Sequence, residues 1–140
     1  GNNLAFVAAK ELLSYWDNSD FSDAIFYREA VLREELTAIA EKYADLELEI
    51  RGRGLIYGLY FPQQGLAGNV TSEAFERGLV VERSGANNDV IKFLPPLVIE
   101  EELLRKGLGI IDESIGACLE KRDSMMKGTY SLDSENDRRD

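Results

Sequence analysis

Lys92 stands inside an apolar run, Val90-Ile91-Lys92-Phe93-Leu94, where strand alternation places it on the same face as Val90 and Leu94. A lysine on such a face either snorkels to an edge or is held for an anionic ligand. Arg51-Gly52-Arg53-Gly54 is a second cationic feature. Its glycines would let backbone amides approach an anion that the arginines fork, and the same four residues also make a tight turn with two solvated arginines. Arg83 lies in Glu82-Arg83-Ser84-Gly85, which with Asn87-Asn88-Asp89 either lines a pocket or makes ordinary turns. The missing residue types restrict the chemistry further. With no histidine and one cysteine, Cys118, the chain offers no Cys/His zinc cluster, no imidazole base, no Ser-His-Asp triad and no intrachain disulfide. Chemistry must therefore use carboxylates, lysines, a cofactor or residues of another chain.

The elements that would position these groups follow from periodicity. Leu4, Val7, Ala8, Leu12, Tyr15 and Trp16 fall at helical spacing behind an asparagine suited to an N-cap, and Asp17-Asn18-Ser19-Asp20 breaks the run. Ile25, Leu32, Leu36, Ile39 and Tyr43 form the stripe of a second, longer helix. The period then changes to two in Leu46-Glu47-Leu48-Glu49-Ile50, which predicts a strand, with residues 51–54 as its turn. Leu55 to Phe61 is apolar throughout and stops at Pro62, as expected of a central strand covered on both faces. A short helix over about 69–77 closes at Gly78, and strands follow over 79–82 and 90–94. Pro95-Pro96 leads out of the sheet, and a last helix carries Leu104, Leu108, Ile111, Ile115 and Leu119 on one stripe. Cys118 falls near that stripe and should be buried and inert, whereas Tyr15-Trp16 suits core or interface packing. Gly107, Gly109 and Gly116 within the helix suggest close backbone packing. The sum is an α+β layer with an antiparallel or mixed sheet and helices chiefly on one face.

Length and charge bound the class. The 140 residues, 44% apolar and 30% charged, suit one domain with a buried core. A net charge of −10 is a poor footprint for nucleic-acid phosphates or an anionic membrane, so neither is an expected partner. No stretch approaches the roughly 20 apolar residues of a membrane span. With its lone thiol the protein is expected to be cytoplasmic. Gly1-Asn2-Asn3 running straight into an apolar periodic segment reads as a chain cut from something longer. Residues 123–140 are polar and aperiodic, which predicts a disordered tail.

Four segments in order carry a resemblance: Gly1-Asn2-Asn3-Leu4-Ala5-Phe6-Val7, Arg51-Gly52-Arg53-Gly54-Leu55-Ile56-Tyr57-Gly58, Ala74-Phe75-Glu76-Arg77-Gly78-Leu79-Val80-Val81-Glu82, and Val90-Ile91-Lys92-Phe93-Leu94-Pro95-Pro96-Leu97-Val98-Ile99. Their order and spacing over roughly residues 1 to 120 resemble the C-terminal portion of the class III pyridoxal-phosphate aminotransferases. The opening segment and the Ser84-Gly85-Ala86-Asn87-Asn88-Asp89 loop are most similar to the diaminobutyrate:2-oxoglutarate branch, particularly that of ectoine biosynthesis. The resemblance implies a fold-type I enzyme in which residues 1–18 lead out of a large cofactor domain and 19–122 form the small C-terminal domain. It implies reversible amino transfer between L-2,4-diaminobutyrate and 2-oxoglutarate, through a cofactor acting as electron sink. Its small-molecule partners would be amino acids and 2-oxo acids, and the intact enzyme would be a homo-oligomer with Asn2 and Asn3 near the cofactor and subunit interface. Many family members place at position 92 an arginine that forks the substrate carboxylate; here Lys92, with Arg83 as a helper, takes that role. Lysine supplies a point charge without the bidentate fork. None of the six lysines has the context of the family's Schiff-base lysine, so the resemblance puts that residue and pyridoxal phosphate itself in a preceding large domain. Two other readings stay open: another class III ω-aminotransferase, acting on ornithine, acetylornithine or 4-aminobutyrate, and a free-standing module that binds a small anion or a partner.

Overall fold

A computed structural model describes residues 1–136, with side chains as far as Ser124. Helix α1, Asn3–Leu13, starts where the Asn2 side chain accepts hydrogen bonds from the Leu4 and Ala5 amides at 3.0 and 3.3 Å. A 3₁₀ turn at Ser14–Trp16 follows, and the Tyr15 and Trp16 rings both pack on Phe21, with centroids 5.4 and 4.9 Å away. No residue of α1 is buried: its apolar residues Leu4, Phe6 and Val7 stand exposed. Helix α2, Asp20–Lys42, buries Val31, Leu32, Leu36 and Ile39 on the stripe that the spacing predicts.

The four strands are β1 (Glu49–Arg53), β2 (Ile56–Tyr60), β3 (Glu82–Ser84) and β4 (Val90–Phe93), in the order β1-β2-β4-β3 with every pairing antiparallel. Helices α3, Leu66–Glu76, and α4, Glu101–Asn136, pack with α2 around one core. Leu59, Ile91, Ile111 and Ile115 are completely buried in it. Ionic contacts reinforce the helix layer. Lys42 bridges to Asp112, while Lys121 and Arg77 both hold Glu73 and draw its carboxyl below the usual range.

Several boundaries differ from expectation. Leu46 closes a 3₁₀ turn and Glu47 takes a left-handed conformation, so the first strand begins at Glu49 and absorbs Arg51, Gly52 and Arg53. The turn falls on Gly54, at φ +61°. Gly52 is needed for another reason: a Cβ there would lie 2.5 Å from Tyr57 Cγ and against the Ile56 carbonyl oxygen, in the partner strand of its own hairpin. Gly52→Ala is therefore expected to destabilise the protein by about 2 kcal/mol, read from its urea midpoint; a shift under about 0.5 kcal/mol would show that the hairpin relaxes freely.

Strand β2 is central, but its two faces differ. Tyr57 and Leu59 are buried and Ile56 is 62% exposed, because the helices cover one face of the sheet and leave the other open. Residues 79–81 are not strand. The Leu79 amide instead bonds back to the Ala74 carbonyl, and β3 starts at Glu82. Helix α4 runs on to Asn136 and corrects the expected tail through that residue; once a packed segment has nucleated a helix, each added residue costs little. Residues 137–140 of that expected tail lie outside the described residues. Within α4, a Cβ on Gly116 would sit 3.3 Å from the Tyr43 hydroxyl, whereas Gly109 faces open space, so close packing explains the former and not the latter.

Candidate functional site

Pairing register decides which side chains share a face. Ile50, Leu59, Ile91 and Arg83 form one row across the four strands, on the side of the helices. The neighbouring row, Arg51, Gly58, Lys92 and Glu82, points to the open side. Lys92 and Arg83, both candidates for a substrate carboxylate, thus lie on opposite faces and do not converge. Arg83 reaches over α3, its Nη1 2.8 Å from where a Cβ on Gly68 would stand. Lys92 is directly opposite Glu82, and its Nζ approaches Glu82 Oε2 to 2.6 Å. The bond from Lys92 holds the Glu82 carboxyl below the usual carboxylate range, so Glu82 is anionic at neutral pH.

On the helix side, behind the strand ends that carry this pair, lies a cleft of about 470 Å³ between the end of β4, the Pro95-Pro96 exit, the Leu79-Val80-Val81 segment and α4. Leu79, Val81, Phe93, Leu104 and Leu108 contribute apolar walls, and Lys92 and Glu82 are its only charged lining residues among those described. The rest of the cationic signal is accounted for locally. Arg51 pairs with Glu49 and lies over the Tyr60 ring, 5.5 Å from its centroid, so Arg51-Gly52-Arg53 is strand with solvated arginines, and Gly54 its turn, rather than an anion loop. Arg105 joins Glu101 and Glu35, and Tyr27 donates to Glu101, tying α2 to α4. Asn2 caps α1 and Asn3 opens it; both are exposed. Cys118 is buried, and burial pushes its thiol up, as befits an inert core residue. Among the described residues no group of three or more Asp, Glu, Cys or His could hold a metal ion, and no helix is long and apolar enough to cross a membrane.

Strand alternation places Lys92 on the same face as Val90, as the pairing register has it. Sequence reasoning leaves Glu82 as one residue of a possible pocket loop, because nothing local says that position 82 will stand opposite position 92.

Comparison with known proteins places the chain. The family profile Aminotransferase class-III matches residues 1–115. The chain belongs to the class III aminotransferases. It is 52% identical over 126 residues to the diaminobutyrate--2-oxoglutarate transaminase of Wolinella succinogenes, covering 90% of this chain and 30% of that protein. To the enzyme of the same name from Oceanobacillus iheyensis it is 48% identical, covering 86% and 28%. Among solved structures, an N-acetylornithine aminotransferase from Stenotrophomonas maltophilia superposes with a TM-score of 0.74 at 29% identity, over 86% of this chain and 33% of that one. The chain thus spans about 30% of the length of the curated relatives it matches.

Class III aminotransferases depend on pyridoxal phosphate, and the described residues do not form a cradle for it. Lys42, Lys92 and Lys121 are each held by a carboxylate, and Lys10 and Lys106 stand exposed on α1 and α4. The cleft offers one lysine and one glutamate, with no aspartate for a pyridine nitrogen and no cluster of phosphate donors. What this segment of the family supplies is a sheet covered on one face, with one charged pair, Lys92 and Glu82, on the other.

Proposed function

We propose that the intact protein transfers an amino group between L-2,4-diaminobutyrate and 2-oxoglutarate, giving aspartate 4-semialdehyde and glutamate, and that this chain is its small C-terminal domain. The 52% identity to the Wolinella succinogenes transaminase, across 90% of the chain, carries the reading. It exceeds the 29% shared with the N-acetylornithine enzyme, which favours diaminobutyrate over the other ω-amino donors. Lys92, on the open face of the sheet, receives a substrate carboxylate as a point charge. Pyridoxal phosphate, held by residues outside this chain, supplies the electron sink. The exposed apolar residues of α1 support a homo-oligomeric, multidomain assembly in which this helix is covered, with Asn2 and Asn3 near the cofactor and subunit interface.

The test is amino transfer by the full-length gene product. With 2-oxoglutarate as acceptor, diaminobutyrate is expected to exceed ornithine, N-acetylornithine and 4-aminobutyrate in kcat/KM by about tenfold or more. Preference for any of the three would overturn the assignment, and a start codon at the position of Gly1 would favour the free-standing module.

A further inference from the structure

Gly58 sits in the middle of the open face, on the inner strand β2, with Arg51 of β1 opposite it on one side and Lys92 of β4 on the other. A glycine inside a strand costs conformational entropy and packing, and it commonly answers to a bulge, a left-handed backbone or the close approach of another group. The first two are absent here. Pairing runs one to one through Gly58 on both sides, and its φ is not positive. Packing within the chain does not demand a glycine either. A Cβ at position 58 would strike one outer methyl of Val90, at 2.8 Å, and would otherwise come no nearer than 3.8 Å, to the Arg51 carbonyl oxygen. Gly52, by contrast, is fixed by the backbone of its partner strand.

The flanking side chains leave this floor bare. Lys92 is drawn to Glu82 and Arg51 to Glu49, and no atom of either cationic side chain comes within 4 Å of where the Cβ would stand. Ile56 and Leu94, which alternation puts on the same face, are exposed one row further along. A bare peptide with a cation on one flank and apolar side chains on another complements a carboxylate whose methylene chain lies flat across the strand. Resting on the proposed amino transfer, we propose that Gly58 sets the steric limit of the substrate site. In this arrangement 2-oxoglutarate crosses β2 over the Gly58 peptide with a carboxylate at Lys92, and a side chain at position 58 would occupy the volume that its methylenes need. The ligand, rather than the fold, is the reason for the glycine.

The test uses the full-length enzyme carrying Val90→Ala, which removes the methyl that a new side chain would strike. In that background Gly58→Ala and Gly58→Val are expected to raise the KM for 2-oxoglutarate about threefold and about tenfold, in order of size. The thermal midpoint should hold or rise, because both residues suit a strand better than glycine does. A merely structural glycine cannot give a loss of binding without a loss of stability. KM values equal to that of Val90→Ala alone would overturn the proposal. So would a raised KM with a falling midpoint, which would trace the loss to a distorted strand. Wild-type enzyme unable to use 2-oxoglutarate would defeat the proposed function and this inference with it, whereas an active wild type indifferent to both substitutions defeats the inference alone.

Discussion

Lys92→Ala in the full-length protein is expected to raise the KM for 2-oxoglutarate by about thirtyfold, the equilibrium equivalent of losing one charge-assisted hydrogen bond to a carboxylate. The position makes this a binding effect. Lys92 is the sole cation lining the cleft among the described residues, and its strand neighbours Ile91 and Phe93 are buried in the core, so its backbone is held fixed while its ammonium stays reachable. Removing the side chain leaves Glu82 largely in water, and a folding defect should not confuse the result. Lys92→Arg keeps the charge and adds a second donor direction, and should recover most of the affinity. Steady-state kinetics with 2-oxoglutarate varied at saturating donor would check both variants. An unchanged KM in Lys92→Ala would remove this residue from substrate binding.

Leu36→Ala should cost about 3 kcal/mol of stability, within the usual span for deleting a fully buried leucine. Leu36 is completely buried on α2, in the same cluster as Leu32 and Ile39 of that helix, Leu59 and Ile91 of the inner strands and Ile111 and Ile115 of α4. Cutting it back leaves a void where helices and sheet meet. The surrounding ties, Arg28 donating to the Ile99 carbonyl at 2.6 Å and Lys42 bridging to Asp112, limit how far α2 can settle into that void. Urea unfolding followed by far-UV circular dichroism would measure the loss. A cost below about 1 kcal/mol would mean that α2 is not seated on the sheet as described.

These two outcomes draw on information that the chain carries at different ranges. The stripe Leu32, Leu36, Ile39 is a local pattern, and one face of a helix follows from 3.6 residues per turn whatever the helix later meets. The same holds for the last helix and for the face on which Lys92 stands. The ordered motifs that resemble the class III aminotransferases are likewise a property of the linear sequence, and the family match over residues 1–115 agrees with them.

Boundaries were less legible where a local signal competed with a long-range contact. Arg51-Gly52-Arg53-Gly54 reads as a turn because two glycines in four residues usually mark one. Gly52 answers instead to the ring and backbone of the opposing strand, which no local rule contains. The apolar run from Leu55 to Phe61 likewise suggests two covered faces, yet Ile56 stays exposed on the open side.

By itself, then, the sequence determined the α+β class, the helix stripes, the family and the presence of one lysine in an apolar strand. The tertiary structure decided what that lysine meets. Pairing of β3 with β4 sets Glu82 against Lys92 and turns Arg83 to the opposite face, because antiparallel register couples residues ten apart and alternation then divides neighbours between two surfaces. A shift of one residue in that register would reverse the assignment, so a cation in a sequence becomes half of a charged pair at a cleft only when the strands have paired.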